Sequence, residues 1–469
     1  MTDILLINPS SITVQNNPIP FGLAYMASYL EKNGFLVKIL DLSVQKINEK
    51  QISEYIKELS PKNVGISCMS VHINFVKSLS RKIKENFKGI RVIVGGIHPT
   101  ALPEKSLKEM KDVDVFVLGE GERTILELMK NTKLEKIKGV AYIKNKKLKI
   151  NKTREFVENL DELPFPARHL LPDIKNYSLG FDWEGRKPDA TIFSSRGCPF
   201  NCIYCASKVM WKQRVRFRSA KNVLREIDLL VKEYKVREIL FYDDHFLLNK
   251  KRLVEICQGL IKRNYDLTWC CLSRVDSVDF ETIKLMKKAG CHMISFGVES
   301  GSQKILDNME KNVKVESIIK AFDICKKVGM NTKASFIFGA PGEDYESIKE
   351  TQNVIKQILP DYIWLFIMTP MPGTKLYKLH EETGIASDDW GMYDQTTYNK
   401  FYGTKLNYEK LRKAVAETYK SYYLSPRYIF SQIKKLSVRK IRVYFNLLKR
   451  VVYVMNYIKR GRTRNGEDK

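Results

Sequence analysis

The chain of 469 residues lacks any run of roughly 18 uncharged apolar residues, the length that a membrane-crossing helix needs. The longest candidate, residues 443–458, is interrupted by Lys449 and Arg450. The N-terminus, Met-Thr-Asp-Ile-Leu-Leu-Ile, has no basic segment followed by an apolar one, so no secretory leader is expected. There is no internal repeat and no low-complexity tract, which argues against solenoid and fibrous architectures. Histidine is scarce, with only His72, His98, His169, His245, His292 and His380. Acidic residues are outnumbered, 53 Asp and Glu against 80 Lys and Arg, for a formal net charge of +27. Such an excess points either to an anionic partner or to a Lys-rich composition. A hydrophobic content of 44% with 28% charged residues excludes a disordered chain. The length fits roughly two to four domains, each able to bury a core.

Nine cysteines are present, an odd number, and six of them (Cys68, Cys257, Cys270, Cys271, Cys291 and Cys325) show no paired spacing. Without a leader, the expected compartment is a reducing cytoplasm, where clustered cysteines bind metal rather than form disulfides. The six scattered cysteines read as core residues. Cys270 and Cys271 are adjacent in a predicted strand and should point to opposite faces.

Short apolar runs alternate with helical patterns over residues 1–150. Strands are expected at 4–8, 36–41, 64–69, 91–94 and 113–118, helices at 21–32, 52–59 and 74–86, and a hairpin at 140–151. This alternation predicts a Rossmann-like, doubly wound parallel sheet, whose ligands bind beyond the carboxyl ends of the strands. Residues 151–188, with Pro164, Pro166 and Pro172, read as a linker. Six β/α units then follow over 189–400, with strands expected at 192–195, 238–242, 268–273, 292–297, 333–338 and 362–368. Six such units make a partial TIM-type barrel with its chemistry at the carboxyl ends of the strands. Residues 401–469 are helical, basic and aromatic.

The strongest motif is Ser195-Arg196-Gly197-Cys198-Pro199-Phe200-Asn201-Cys202-Ile203-Tyr204-Cys205, on the loop after the first strand of the second unit. No fourth Cys or His follows nearby, so a closed four-ligand zinc site is not indicated. Cys198, Cys202 and Cys205 can instead hold three irons of a cubane [4Fe-4S] cluster and leave the fourth open to another ligand.

At this motif the sequence resembles the radical S-adenosylmethionine (SAM) superfamily. The resemblance implies that the open iron chelates SAM and that an electron from the cluster cleaves it to a 5′-deoxyadenosyl radical. It also assigns residues at the later strand ends. Tyr204 would lie near the adenine. Asp243 or Asp244 would meet the SAM ammonium, and Arg274 the carboxylate. Ser295 and Glu299 would face the ribose, and Gly339 would offer backbone to the adenine. Thr369 to Thr374 would close the region.

In the first unit the motifs are Val94-Gly95-Gly96-Ile97-His98-Pro99-Thr100 and Gly119-Glu120-Gly121-Glu122. Paired glycines at a strand end permit close backbone approach to a ligand. Over roughly residues 1–400 the chain is similar to enzymes that place a cobalamin-binding domain before the radical SAM barrel. By that resemblance Gly95, Gly96, His98, Pro99 and Thr100 line the cobalamin tail, with Gly119, Glu120 and Gly121 nearby. The cobalt-ligating Asp-x-His-x-x-Gly pattern of other cobalamin proteins is absent, so no cobalt ligand is named.

The function implied is methyl transfer from methylcobalamin to a carbon of a small-molecule or lipid-like substrate. A flavodoxin or ferredoxin would supply electrons. A cobalamin-linked oxidative cyclase or rearrangement enzyme resembling anaerobic magnesium-protoporphyrin ester cyclase has the same domain order and stays open as an alternative. So does a non-catalytic cobalamin carrier or membrane-surface protein. Residues 426–469 carry 13 Lys and Arg against Glu467 and Asp468. Apolar residues recur there at helical spacing, so this helix either packs on the barrel or lies on an anionic membrane at the inner face. No RNA-binding module is recognisable, which argues against nucleic acid.

Overall fold

The computed structural model describes residues 2–10, 18–177, 185–393 and 400–433. In the first domain β1 (Ile4–Asn8), β2 (Val37–Asp41), β3 (Asn63–Ser67), β4 (Arg91–Gly95) and β5 (Val115–Val117) run parallel. An antiparallel hairpin, β6 (Val140–Lys144) and β7 (Lys147–Ile150), extends the sheet to the order β2-β1-β3-β4-β5-β6-β7. Both faces are covered. Leu5, Ile7, Val64 and Ile66 join one core, while Ile4, Leu6, Ile93 and Val115 join the other. This is why the parallel strands read as continuous apolar runs rather than as alternations. Asn145 and Lys146 at the hairpin tip have φ of +52° and +60°, the left-handed pair that a two-residue turn requires. The second helix begins at Glu49 rather than Ile52, because Asn48 and Gln51 cap each other's backbone N–H groups.

The second domain contains β8 (Asp189–Ile192), a two-residue ribbon of β9 (Ser195–Arg196) and β10 (Arg216–Phe217), and then β11 (Glu238–Phe241), β12 (Thr268–Ser273), β13 (Cys291–Glu299), β14 (Asn331–Phe338) and β15 (Tyr362–Ile367). Six of these form one parallel sheet in the order β15-β14-β13-β12-β11-β8, the open partial barrel expected. The expected strand at 192–195 is displaced. After Ile192 the chain leaves the ladder, because the buried Asp243 carboxylate accepts the N–H groups of Ser194 (2.6 Å) and Ser195 (3.2 Å).

Residues 151–177 form short 3₁₀ turns that are tied to both domains. Arg168 pairs with Glu226 at 2.7 Å, and the Tyr177 hydroxyl donates to Asp41 of β2 at 2.8 Å. At the other edge, helices Tyr408–Tyr423 and Pro426–Ile433 cover β15. The hydroxyls of Tyr423 and Tyr419 accept the N–H groups of Ile363 and Leu365, both at 3.0 Å, which satisfies an otherwise open strand edge. The basic stretch from 434 onward lies outside the described residues.

Candidate active site at the domain interface

The cysteine loop leaves β9 and returns through β10. Gly197 adopts φ +97°, and a Cβ there would lie 2.0 Å from the Arg214 carbonyl oxygen, so only glycine fits. Cys198, Cys202 and Cys205 are partly exposed free thiols. The N–H groups of Phe200 and Ser207 point at the sulfurs of Cys198 and Cys205. Burial pushes the Cys205 thiol up to about 12, so loading a metal there must expel a proton. Donors to a single ion crowd closely together. Among the described residues such a group, with ligand atoms within 4.8 Å of one another, is Glu238, Cys270 and His292, at the far end of the barrel. The loop offers instead one thiolate per metal, with N–H donors on the sulfurs, which fits a multi-iron cluster. The six other cysteines are buried.

The structure separates the two aspartates at the end of β11. Asp243 is buried. Besides its two backbone contacts it accepts the Ser194 hydroxyl, and Arg252 stands 3.6 Å away. Asp244 is exposed beside the loop, where it accepts the Ser207 hydroxyl at 2.7 Å. Crowding by protein, and then the charge of Asp243, raise its carboxyl above the usual range. His245, the next residue, bridges Ser273 and Ser277 at 2.9 and 3.0 Å under the Phe200 ring.

Arg274 is largely committed within the protein. Its Nη2 donates to Asp276 (2.7 Å) and to the Lys311 carbonyl (2.9 Å), and its guanidinium lies 3.5 Å from the centre of the Phe200 ring. The register of β13 shifts between Gly297 and Glu299, and Glu299 takes φ +73°. This bulge aims Glu299 at the buried Lys311 ammonium, 3.1 Å away. A Cβ on Gly297 would lie 2.5 Å from the Glu299 carboxylate, so that glycine makes room for the pair. Ser295 is buried on the same strand. Tyr204 packs on the buried cluster that includes Ala340, the residue after Gly339. The Gly339 N–H donates to the buried Glu343 carboxylate, while Leu411 and Phe401 crowd its α-carbon.

The first domain meets this loop through its own strand-end motifs. Glu120 accepts Arg196 at 2.6 Å, Arg216 at 2.8 Å and the Val157 N–H at 2.8 Å, and Glu122 accepts Arg196 at 2.6 Å. Burial pushes the Glu120 carboxyl up, but the arginine charges prevail and hold it below the usual carboxylate range. Glu120 therefore docks the two domains. Gly96 (φ +120°) is required by the chain itself, since a Cβ would lie 2.6 Å from the Cys68 carbonyl oxygen. Gly121 similarly abuts Met26, whereas Gly119 faces open space and Gly95 has ordinary clearance.

Thr100 links the two loops. Its hydroxyl accepts the Gly119 N–H at 2.9 Å and donates to the Gly96 carbonyl at 2.7 Å. Pro99 and His98 are buried. His98 contacts Ser70 through Nδ1 at 3.0 Å and Trp390 edge-on at 4.7 Å, and its Nε2 is buried without a partner. Burial, and then Lys105, push its pKa down to about 4. Gly373 of the 369–374 loop wedges between Ala101 of the first domain and Val209 beside the cysteine loop. The open space at Gly119 and the orphaned imidazole nitrogen leave this face able to receive a large polar ligand.

Sequence reasoning passed over Arg196, Arg216 and Lys311 as site residues. Arg196 carried a signal, being two residues before Cys198. Arg216 and Lys311 carried none, because their partners are distant in the chain.

A family model of the radical SAM superfamily matches residues 192–355, and one of the B12 binding domain matches residues 9–129. An uncharacterized methyltransferase of Pyrococcus horikoshii is 34% identical over 424 residues, covering 88% of this chain and 90% of that protein. The anaerobic magnesium-protoporphyrin IX monomethyl ester cyclase of Rubrivivax gelatinosus is 29% identical over 411 residues, covering 84% of this chain and 72% of that protein. Among solved structures, the cobalamin-dependent S-adenosylmethionine radical enzyme OxsB, with aqua-cobalamin and S-adenosylmethionine bound, superposes with a TM-score of 0.73. That match covers 99% of this chain and 73% of the other at 18% identity, and so speaks to the fold.

Proposed function

The chain belongs to the radical SAM superfamily, in the branch that carries an N-terminal B12-binding domain, and from that premise we propose that it methylates a carbon of a small-molecule substrate. The observation that carries this reading is the Arg196–Glu120 contact of 2.6 Å. It joins the loop at the carboxyl end of β5 to the cysteine loop of the barrel. The binding ends of the two domains therefore meet, as a shared substrate requires.

When bound, a [4Fe-4S] cluster, SAM and cobalamin supply an electron, hydrogen-abstracting radical chemistry and a transferable methyl group. The chain holds and orients them. Cys198, Cys202 and Cys205 bind the cluster and leave one iron for SAM. Asp244, the accessible aspartate, receives the SAM ammonium, while Asp243 shapes the loop. Arg274 keeps positive charge beside the cysteines for the SAM carboxylate. Tyr204 and Gly339 border the adenine, and Ser295 and Glu299 the ribose, with Lys311 positioning Glu299. Thr100 and Gly119 line the cobalamin side, and the loop around Gly373 excludes water.

The test is anaerobic turnover of the reconstituted enzyme with methyl-labelled SAM. Label in the product supports methyl transfer. A ring-closed product without label supports the cyclase reading that the Rubrivivax relative represents. The reductant in this reading is a low-potential flavodoxin or ferredoxin.

The described residues contain no helix long and apolar enough to cross a membrane. Ile429, Phe430 and Ile433 are exposed on the last described helix, which leads into the basic C-terminal stretch. This end docks the enzyme on the anionic inner membrane face from the cytoplasm. Sedimentation with anionic vesicles, lost on truncation after residue 433, checks it.

A further inference from the structure

We propose that the amino-terminal end of the barrel binds one divalent transition-metal ion of the zinc class through Glu238, Cys270 and His292. These side chains come from three neighbouring strands, β11, β12 and β13, and their donor atoms all lie within 4.8 Å of one another. The arrangement depends on a break in the ladder. Trp269 pairs with Cys291, but Cys270 pairs with Met293, so His292 is an extra residue in a bulge. The bulge turns His292 towards the inner face, where Cys270, Leu240 and Met293 pack together.

The surroundings suit an ion. Glu238 and Cys270 are 1% and 2% exposed, whereas the His292 side chain is 18% exposed and leaves a path of entry. The His292 Nε2 already lies 2.6 Å from the Glu238 carboxylate, and the Thr268 hydroxyl donates to the other Glu238 oxygen and orients it. An imidazole nitrogen, a thiolate and a carboxylate form a mixed donor set that zinc accepts. Binding displaces the Cys270 thiol proton to solvent, and no electron moves. Thiolate and carboxylate together cancel the two charges of the ion, so the loaded site is neutral overall beside the buried Lys333, whose ammonium sits 3.2 Å from the Trp364 ring centre. Water completes the coordination. The ion would clamp the floor of the same three strands whose opposite ends lead to Asp244, Arg274 and Glu299.

The experiment is zinc-edge X-ray absorption, with zinc and iron analysis, on the full cluster-reconstituted chain given one equivalent of zinc chloride. The expected result is about one zinc per chain with a single sulfur at about 2.3 Å and N/O donors at about 2.0 Å. Cys270→Ser and His292→Asn should each weaken zinc binding about tenfold or more, with iron content unchanged. A shell of three sulfurs would mean that zinc had entered the Cys198–Cys205 loop, and would overturn the proposal. So would undiminished zinc in Cys270→Ser, or no retained zinc in the wild-type chain. If the variants fail to fold, the sulfur count of the wild-type zinc shell decides alone. Iron content and methyl transfer are read separately, so this site can fail while the proposed function stands.

Discussion

The Arg196 guanidinium, two residues before the first cysteine of the loop, lies 2.6 Å from the Glu120 carboxylate of the other domain. Arg216 reaches the same carboxylate, and each cation lies beside aromatic rings, Arg196 beside Tyr25 and Arg216 beside Phe156. The cysteine loop is thus held on one side by its own barrel and on the other by the first domain.

Removing Glu120 leaves the buried Arg216 guanidinium without a carboxylate partner and Arg196 with Glu122 alone. Breaking a buried pair from one side costs about 3–5 kcal/mol. Glu120→Ala is therefore expected to lower the denaturation midpoint and reduce methyl transfer more steeply than it reduces iron content. Urea unfolding, iron analysis and turnover read these three quantities.

Gly197→Ala should abolish cluster binding. The added methyl would collide with the Arg214 carbonyl at 2.0 Å, and the backbone would be strained at φ +97°. Gly22→Ala meets nothing within 4 Å and should leave iron content unchanged. Iron per chain after identical reconstitution distinguishes them.

The two aspartates should fail differently. Asp244→Asn is expected to keep the fold and the iron while raising the KM for SAM about tenfold or more, the loss of about 1.4 kcal/mol of binding. Asp243→Ala removes the acceptor of the Ser194 and Ser195 N–H groups and should cost about 1–3 kcal/mol of stability. Steady-state kinetics and unfolding midpoints separate the two effects.

His98 makes stability depend on pH. Its folded pKa, about 4, lies below the ordinary 6.5 because burial disfavours the imidazolium. The unfolded chain therefore binds a proton that the folded chain refuses between these values. Stability is fully present above about pH 6.5 and falls by about 1.4 kcal/mol per unit as the pH drops towards 4. His98→Gln should make that limb of the denaturation profile shallower, while His72 and His245, pushed down by burial in the same way, keep their own share of it.

Much of this was legible in order along the chain. The parallel sheets, the partial barrel and the cysteine loop follow from local period and spacing, and the helix 21–32 falls where periodicity puts it. Boundaries moved where a side chain outbid the backbone pattern, as at Asn48 and at Asp243. The first-domain motifs were located correctly as strand-end loops, yet the side chains in them divide. Thr100 and Gly119 join the two loops, while Glu120 and Gly96 serve docking and chain closure.

The sequence by itself determined which residues could carry the chemistry, because Cys198, Cys202 and Cys205 lie within one loop and local spacing is all that three thiolates need. Only the tertiary structure buried Asp243 and left Asp244 exposed, joined Glu120 to Arg196 and Arg216, and turned His292 towards Cys270 and Glu238. Each of those depends on which strand lies beside which, and on single-residue shifts in register. Contacts of that kind are set by packing between segments far apart in the chain, and composition and periodicity carry no record of them.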